Sequence, residues 1–212
     1  MPSPLVRCFW AVSPPDENLE QVAELARALK RPLASLGLQV AWSVRESYHI
    51  TLKFLGNVAE EKLGEMVAHV QSQLLAYRLA AGPQVELAGL GVFPGPHRPQ
   101  VVFVEGRGEG GFTTLHALLQ DWLAPLGYAR EERPYHPHLT IGRVRGGASA
   151  ETQPKLQELL QGYADQRHGA PFPITALTLF ESQQAPTGPK YTPLARLPLL
   201  TAELPRPARA AL

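Results

Sequence analysis

Between Leu5 and Leu199 the chain runs twice through one order of elements: strand, helix, strand, helix, strand. The order constrains the fold because the gaps are short. "LQVAWSV" (38–44) ends three residues before "YHITLKFLG" (48–56) begins. "QVELAGLGVF" (84–93) and "QVVFVEG" (100–106) are nearly as close. A parallel crossover needs about a dozen residues or more, so these neighbours have to pair antiparallel. Helices belong between them. Leu19, Val22, Ala26, Leu29 and Leu33 recur at helical spacing, as do Leu63, Met66, Val67, Val70 and Leu74 over 60–77. Phe112, Leu115, Leu118, Leu119 and Trp122 mark a third helix, and Leu156, Leu159, Leu160 and Tyr163 a fourth. Ser13 with Asp16 three residues on reads as the start of the first. "LVRCFWAV" (5–12), "FPITALTLFES" (172–182) and "KYTPLARLPL" (190–199) read as further strands.

The expected class is α+β: a bilobal fold of two pseudo-symmetric antiparallel sheets with outer helices and an active-site cleft between the lobes. Residues 1–205 form one such domain, with the pattern repeating over roughly 5–95 and 99–200. The join is the Pro/Gly-rich "FPGPHRPQ" (93–100), and 206–212 is expected to be a frayed tail.

The two halves share one short motif. His49-Ile50-Thr51-Leu52 and His138-Leu139-Thr140-Ile141 both read His, aliphatic, Thr, aliphatic. On a strand the histidine and threonine share one face and the aliphatic pair takes the other. Either copy alone is an ordinary edge strand with a wet face. Two copies on opposed lobes would place two imidazoles and two hydroxyls on a shared cleft. Two imidazoles suit a reaction that needs one general base and one general acid near neutral pH. With a hydroxyl beside each ring and fixed cations from Arg143 and Lys53, the set fits hydrolysis of a phosphodiester.

Other chemistries fit less well. The formal net charge of +1 argues against a broad basic field, so phosphate recognition has to be local. One cysteine, Cys8, excludes an internal disulfide and a multi-cysteine zinc site. "HPH" (136–138) has no acidic residue on its adjacent same-face positions, and H-E-x-x-H and G-x-S-x-G do not occur. "GRGEGG" (106–111) lacks the Lys-Ser/Thr of a phosphate loop and reads as a tight turn. No apolar run spans a bilayer and no leader is recognisable, so a cytoplasmic monomer is the default expectation. His69, His97, His116 and His168 are expected in structural or solvated roles.

"YHITLKFLG", "HPHLTIGR", "GVFPGPHRPQVVFV" and "LTLFESQQAPTGPKYTPLARLPL" together resemble the 2H phosphoesterases, specifically the LigT-like RNA 2′,3′-cyclic phosphodiesterases, once called 2′-5′ RNA ligases. The likeness spans nearly the whole chain. It implies hydrolysis of a 2′,3′-cyclic phosphate, on an RNA end or a nucleotide, to a 2′-phosphate without a metal or other cofactor. It further implies that His49 donates a proton to the leaving oxygen and His138 accepts one from water. Thr51, Thr140 and Arg143 would hold the phosphate, with Lys53 as a further cation. The alternatives are 2′-5′ joining at the same site, or a nucleotide- or RNA-binding module without turnover.

Two local points are open at this level. Arg143 is an odd number of residues past His138, so an unbroken strand turns it away unless Gly142 permits a bulge. For the base of an RNA end, Tyr135 and Tyr191 are the leading stacking candidates, with Trp42 behind them. Phe54 is the weakest, being placed by alternation on the face opposite His49.

Overall fold

A computed structural model describes residues 3–77, 83–108, 110–146, 149, 151–185 and 188–199. The proposed tail at 206–212 lies outside them. The strands are β1 (Leu5–Val12), β2 (Gln39–Trp42), β3 (Ile50–Ala59), β4 (Gln84–Phe93), β5 (Val101–Arg107), β6 (His138–Arg145), β7 (Phe172–Pro173), β8 (Ala176–Ala185) and β9 (Gly188–Pro198). The helices are α1 (Asp16–Ser35), α2 (Glu60–Tyr77), α3 (Gly111–Leu123) and α4 (Thr152–Gly162). Ser13 does not cap α1: Pro15 occupies the N-cap without a side-chain bond, and Asp16 and Glu17 meet the positive end of the helix dipole instead. Of "GRGEGG", Gly106 and Arg107 end β5, Gly108 and Gly110 have positive φ, and Gly111 opens α3.

Among the described strands all pairings are antiparallel, and they join into one sheet of order β7-β4-β5-β6-β3-β1-β8-β9, with β2 also on β6. Two separate sheets were expected. The halves instead meet through the motif strands themselves, β3 and β6, at one residue pair, Ile50↔Leu139. Beyond it β3 leaves, and β2 takes over the same edge of β6 from Gly142 to Arg145. The outer edge is β9, whose Pro189, Pro193 and Pro198 suit a strand with one unpaired side.

One continuous core lies beneath the sheet. Leu29 and Leu33 of α1, Val70 of α2, Leu115 and Leu119 of α3 and Leu156 of α4 meet Trp10, Ile50, Leu52, Leu139 and Ile141 of the strands. The aliphatic residues of both motifs are therefore the buried ones, which leaves each His and Thr on the other face. None of the described helices is long and apolar enough to cross a membrane.

Candidate active site

Both motif histidines are tethered in the same way. His49 Nδ1 is 2.7 Å from the Ser47 carbonyl oxygen, and His138 Nδ1 is 2.8 Å from the His136 carbonyl oxygen. A carbonyl only accepts, so in each ring Nδ1 carries the proton and Nε2 is left for proton transfer. His49 and Thr51 flank Ile50, and His138 and Thr140 flank Leu139, so the registered pair Ile50↔Leu139 brings the two motifs alongside each other.

Each ring also rests on aromatic neighbours. His49 lies 4.7 Å from Phe9 and meets Tyr191 edge-on at 4.8 Å, with Phe180 at 6.0 Å. His138 stands edge-on to Phe93 at 5.0 Å and to Phe103 at 5.5 Å. Phe103 fits because residue 91 is glycine: a Cβ there would lie 2.3 Å from its ring. This apolar bedding disfavours charge. Burial lowers the pKa of His49 to about 4, with the Ser47 carbonyl opposing and His138 adding to the shift. Burial likewise lowers His138, the His136 carbonyl opposing and His136 and Arg143 adding. Both are neutral in the free protein at neutral pH.

His49, Thr51, His138, Thr140 and Arg143 line one cavity of about 560 Å³. Its wall includes Phe54, Tyr191, Val101, Arg145, the Ala41–Val44 segment and the ends of the β8–β9 hairpin, Ala185 and Gly188. Among the described residues no carboxylate lines it.

The chain matches the family described as the 2′-5′ RNA ligase superfamily over residues 14–186. It belongs to that superfamily. An RNA 2′,3′-cyclic phosphodiesterase of Aeropyrum pernix is 32% identical over 177 residues, which covers 82% of this chain and 93% of that one. One from Methanothermobacter thermautotrophicus is 33% identical over 187 residues, covering 88% and 95%. Among solved structures, TT0787 of Thermus thermophilus superposes with a TM-score of 0.72 at 28% identity, over 92% of this chain and 99% of that one. E. coli LigT in complex with 3′-AMP does so with a TM-score of 0.65 at 26% identity, again over 92% and 99%.

Within this superfamily member, two bulges decide which side chains reach the cavity. In β3, Ala11 pairs with Thr51 and Trp10 with Lys53, so Leu52 is an extra residue. Both Leu52 and Lys53 then turn to the core, and Phe54 turns to the cavity, 58% exposed. In β6, Phe103 pairs with Thr140 and Val102 with Gly142, so Ile141 is the extra residue and Arg143 is re-aimed to the cavity. Gly142 is required there by close packing, since a Cβ would come within 2.5 Å of Val40 Cγ1.

Lys53 is therefore placed in the core and not among the residues that line the cavity. It is 2% exposed, donates to Gln120 Oε1 and to the Ala129 carbonyl at 2.6 Å each, and lies 3.6 Å from Glu131 Oε1. Strict alternation had also put Phe54 on the wrong face, and the same bulge accounts for both corrections. Tyr135 does not line the cavity either. Its ring stacks on His116 at 4.1 Å and its hydroxyl donates to the Thr51 carbonyl at 2.9 Å. His116 in turn bonds the Leu52 carbonyl at 2.7 Å, so the pair braces the β3 bulge from below. Tyr191 and Trp42 do reach the cavity. His69 bonds the Trp122 carbonyl and His168 the Gly89 carbonyl, both away from it.

Sequence reasoning missed Arg145, although its spacing of two from Arg143 on one strand was a usable signal. It also missed the aromatic bedding, Phe9 and Phe180 under one ring and Phe93 and Phe103 beside the other. These residues are distant in the chain and carried no local signal.

Proposed function

We propose that the protein hydrolyses the 2′,3′-cyclic phosphate of an RNA end or nucleotide to a 2′-phosphate, by two-histidine acid–base catalysis that needs no metal. The observation that carries this is the matched pair of imidazoles, each held by Nδ1 on a carbonyl and offering Nε2 beside a threonine and Arg143 in one cavity. The names of the relatives from A. pernix and M. thermautotrophicus support the substrate, and the LigT complex with 3′-AMP supports a nucleotide ligand. The equal tethers and equally placed bulges support reading the halves as pseudo-symmetric lobes that each lend one edge of the site.

In this mechanism His138 Nε2 takes a proton from water as its oxygen bonds to phosphorus. The P–O3′ bond breaks, and protonated His49 gives its Nε2 proton to O3′. The threonine hydroxyls donate to the non-bridging oxygens, and the Arg143 guanidinium offsets the charge that develops there. Free His49 is neutral at pH 7, but an anionic phosphodiester between the rings favours its protonated form. The base of the terminal nucleotide rests against Phe54 and Tyr191.

The test is incubation with a 2′,3′-cyclic mononucleotide and a cyclic-phosphate-ended oligonucleotide in chelator, with products identified by phosphorus NMR. A 2′-phosphate is expected. Activity that returns only with added zinc or manganese would overturn the metal-free mechanism, and a 3′-phosphate product would overturn the choice of leaving oxygen. Adding a 5′-hydroxyl RNA to the same assay separates hydrolysis from 2′-5′ joining.

A further inference from the structure

The cavity has two unlike ends. β3 and β6 run antiparallel from Ile50↔Leu139, so Phe54, beyond Thr51 on one, and Arg143, beyond Thr140 on the other, lie in opposite directions from the histidines. The Phe54 end is aromatic. The other end carries Trp42, the cross-strand partner of Gly142, and then Arg143 and Arg145, with no carboxylate among its described lining residues. Alternate strand residues share a face and stand about 6.6 Å apart, comparable with successive phosphates of an extended single strand. Ala41 and Val101 are the cross-strand partners of Arg143 on either side, and both line the cavity with short side chains. A backbone can therefore pass between them close to the sheet. Arg27, Arg45, Arg107, Arg130 and Arg167 are each paired with a carboxylate. Arg143 and Arg145 form no ion pair among the described residues.

We propose that Arg145 heads a subsite for the phosphodiester immediately upstream of the reacting terminus, which makes the substrate an RNA strand end in preference to a free mononucleotide. The inference rests on the phosphodiesterase reading above. One guanidinium serves the reacting phosphate and the next along the strand serves its neighbour. The terminal base lies towards Phe54, so the chain leaves the site over Arg145. Each such contact neutralises one phosphate and releases counterion, which gives it a salt signature.

The experiment compares kcat/KM for 2′,3′-cyclic AMP with that for a five-residue oligoadenylate ending in a 2′,3′-cyclic phosphate, over a series of salt concentrations. Wild type, Arg145→Ala and Arg145→Lys are assayed, and melting temperatures confirm that each is folded. The wild-type ratio, oligonucleotide to mononucleotide, is expected to exceed one. Arg145→Ala should lower that ratio by ~10-fold, mainly through the oligonucleotide KM, and reduce the oligonucleotide salt slope by about one. Arg145→Lys should restore part of both. An unchanged ratio and slope in Arg145→Ala, with both substrates turned over, overturns this inference and leaves the phosphodiesterase reading intact. A folded wild type that turns over neither substrate overturns the reading and the inference together.

Discussion

Phe54 and Arg143 stand in the same relation to their histidines: each is five residues further along, each follows a one-residue bulge, and each lines the same cavity. An odd offset on an unbroken strand faces away. The extra residue, Leu52 in one strand and Ile141 in the other, resets the alternation. The two halves thus present one backbone device with two chemistries, an aromatic ring at one end of the cavity and a guanidinium at the other.

That difference can be separated by experiment. Phe54→Ala should weaken nucleotide substrates ~10-fold through lost stacking while leaving competitive inhibition by inorganic phosphate unchanged. Arg143→Ala should weaken phosphate inhibition and lower kcat. Equal effects of both variants on both measurements would refute the division of roles.

Replacing His49 or His138 by Ala should slow turnover by roughly 10²- to 10⁴-fold with little change in melting temperature. The double variant should lose much less than the product of the single losses, since both groups act in one step. His69→Asn is the control, expected to remain near wild type. His116 is unsuitable as a control because it bonds the Leu52 carbonyl at the bulge. Near-full activity in either alanine variant would remove that histidine from the mechanism.

Lys53→Met tests the corrected assignment. It leaves Gln120 Oε1 and the Ala129 carbonyl without the ammonium and should cost about 1–3 kcal/mol of stability. Denaturant unfolding reads this directly, and the KM for a cyclic mononucleotide should stay within about two-fold of wild type. A raised KM with unchanged stability would return Lys53 to the phosphate.

Stability should depend on pH through His49. The unfolded ring binds its proton at the ordinary value of 6.5 and the native ring only at about 4, because it is buried. Between those values the unfolded chain holds more protons, so stability rises with pH and is lost as pH falls through the window. Urea unfolding at pH 7 and at pH 4.5 should show wild type losing on the order of 1–3 kcal/mol more than His49→Gln. Parallel losses in the two proteins would place the titration elsewhere.

The sequence carried much of this. Periodicities of 3.6 and 2 located α1 to α4 and the longer strands, because burial of one face is written into the chain residue by residue. The two His-x-Thr motifs were legible for the same reason: Ile50, Leu52, Leu139 and Ile141 are the buried partners that turn the histidines and threonines outward. Lys53, Phe54 and Tyr135 were misread. Alternation was extended past Leu52, where an inserted residue with no sequence mark of its own shifts it. Gly142 announced a possible bulge in β6; nothing comparable stands at Leu52.

By itself, then, the sequence determined the order of elements, their antiparallel pairing and the strand face on which His49, Thr51, His138 and Thr140 lie, all of which follow from local spacing. Only the tertiary structure decided that the motif strands meet at Ile50↔Leu139, that Lys53 is buried while Phe54 is not, and that Arg143 and Arg145 share a face of the cavity. Those outcomes depend on which strand lies alongside and where its register slips. Trp10, Val102 and Val40 set them from positions far away in the chain.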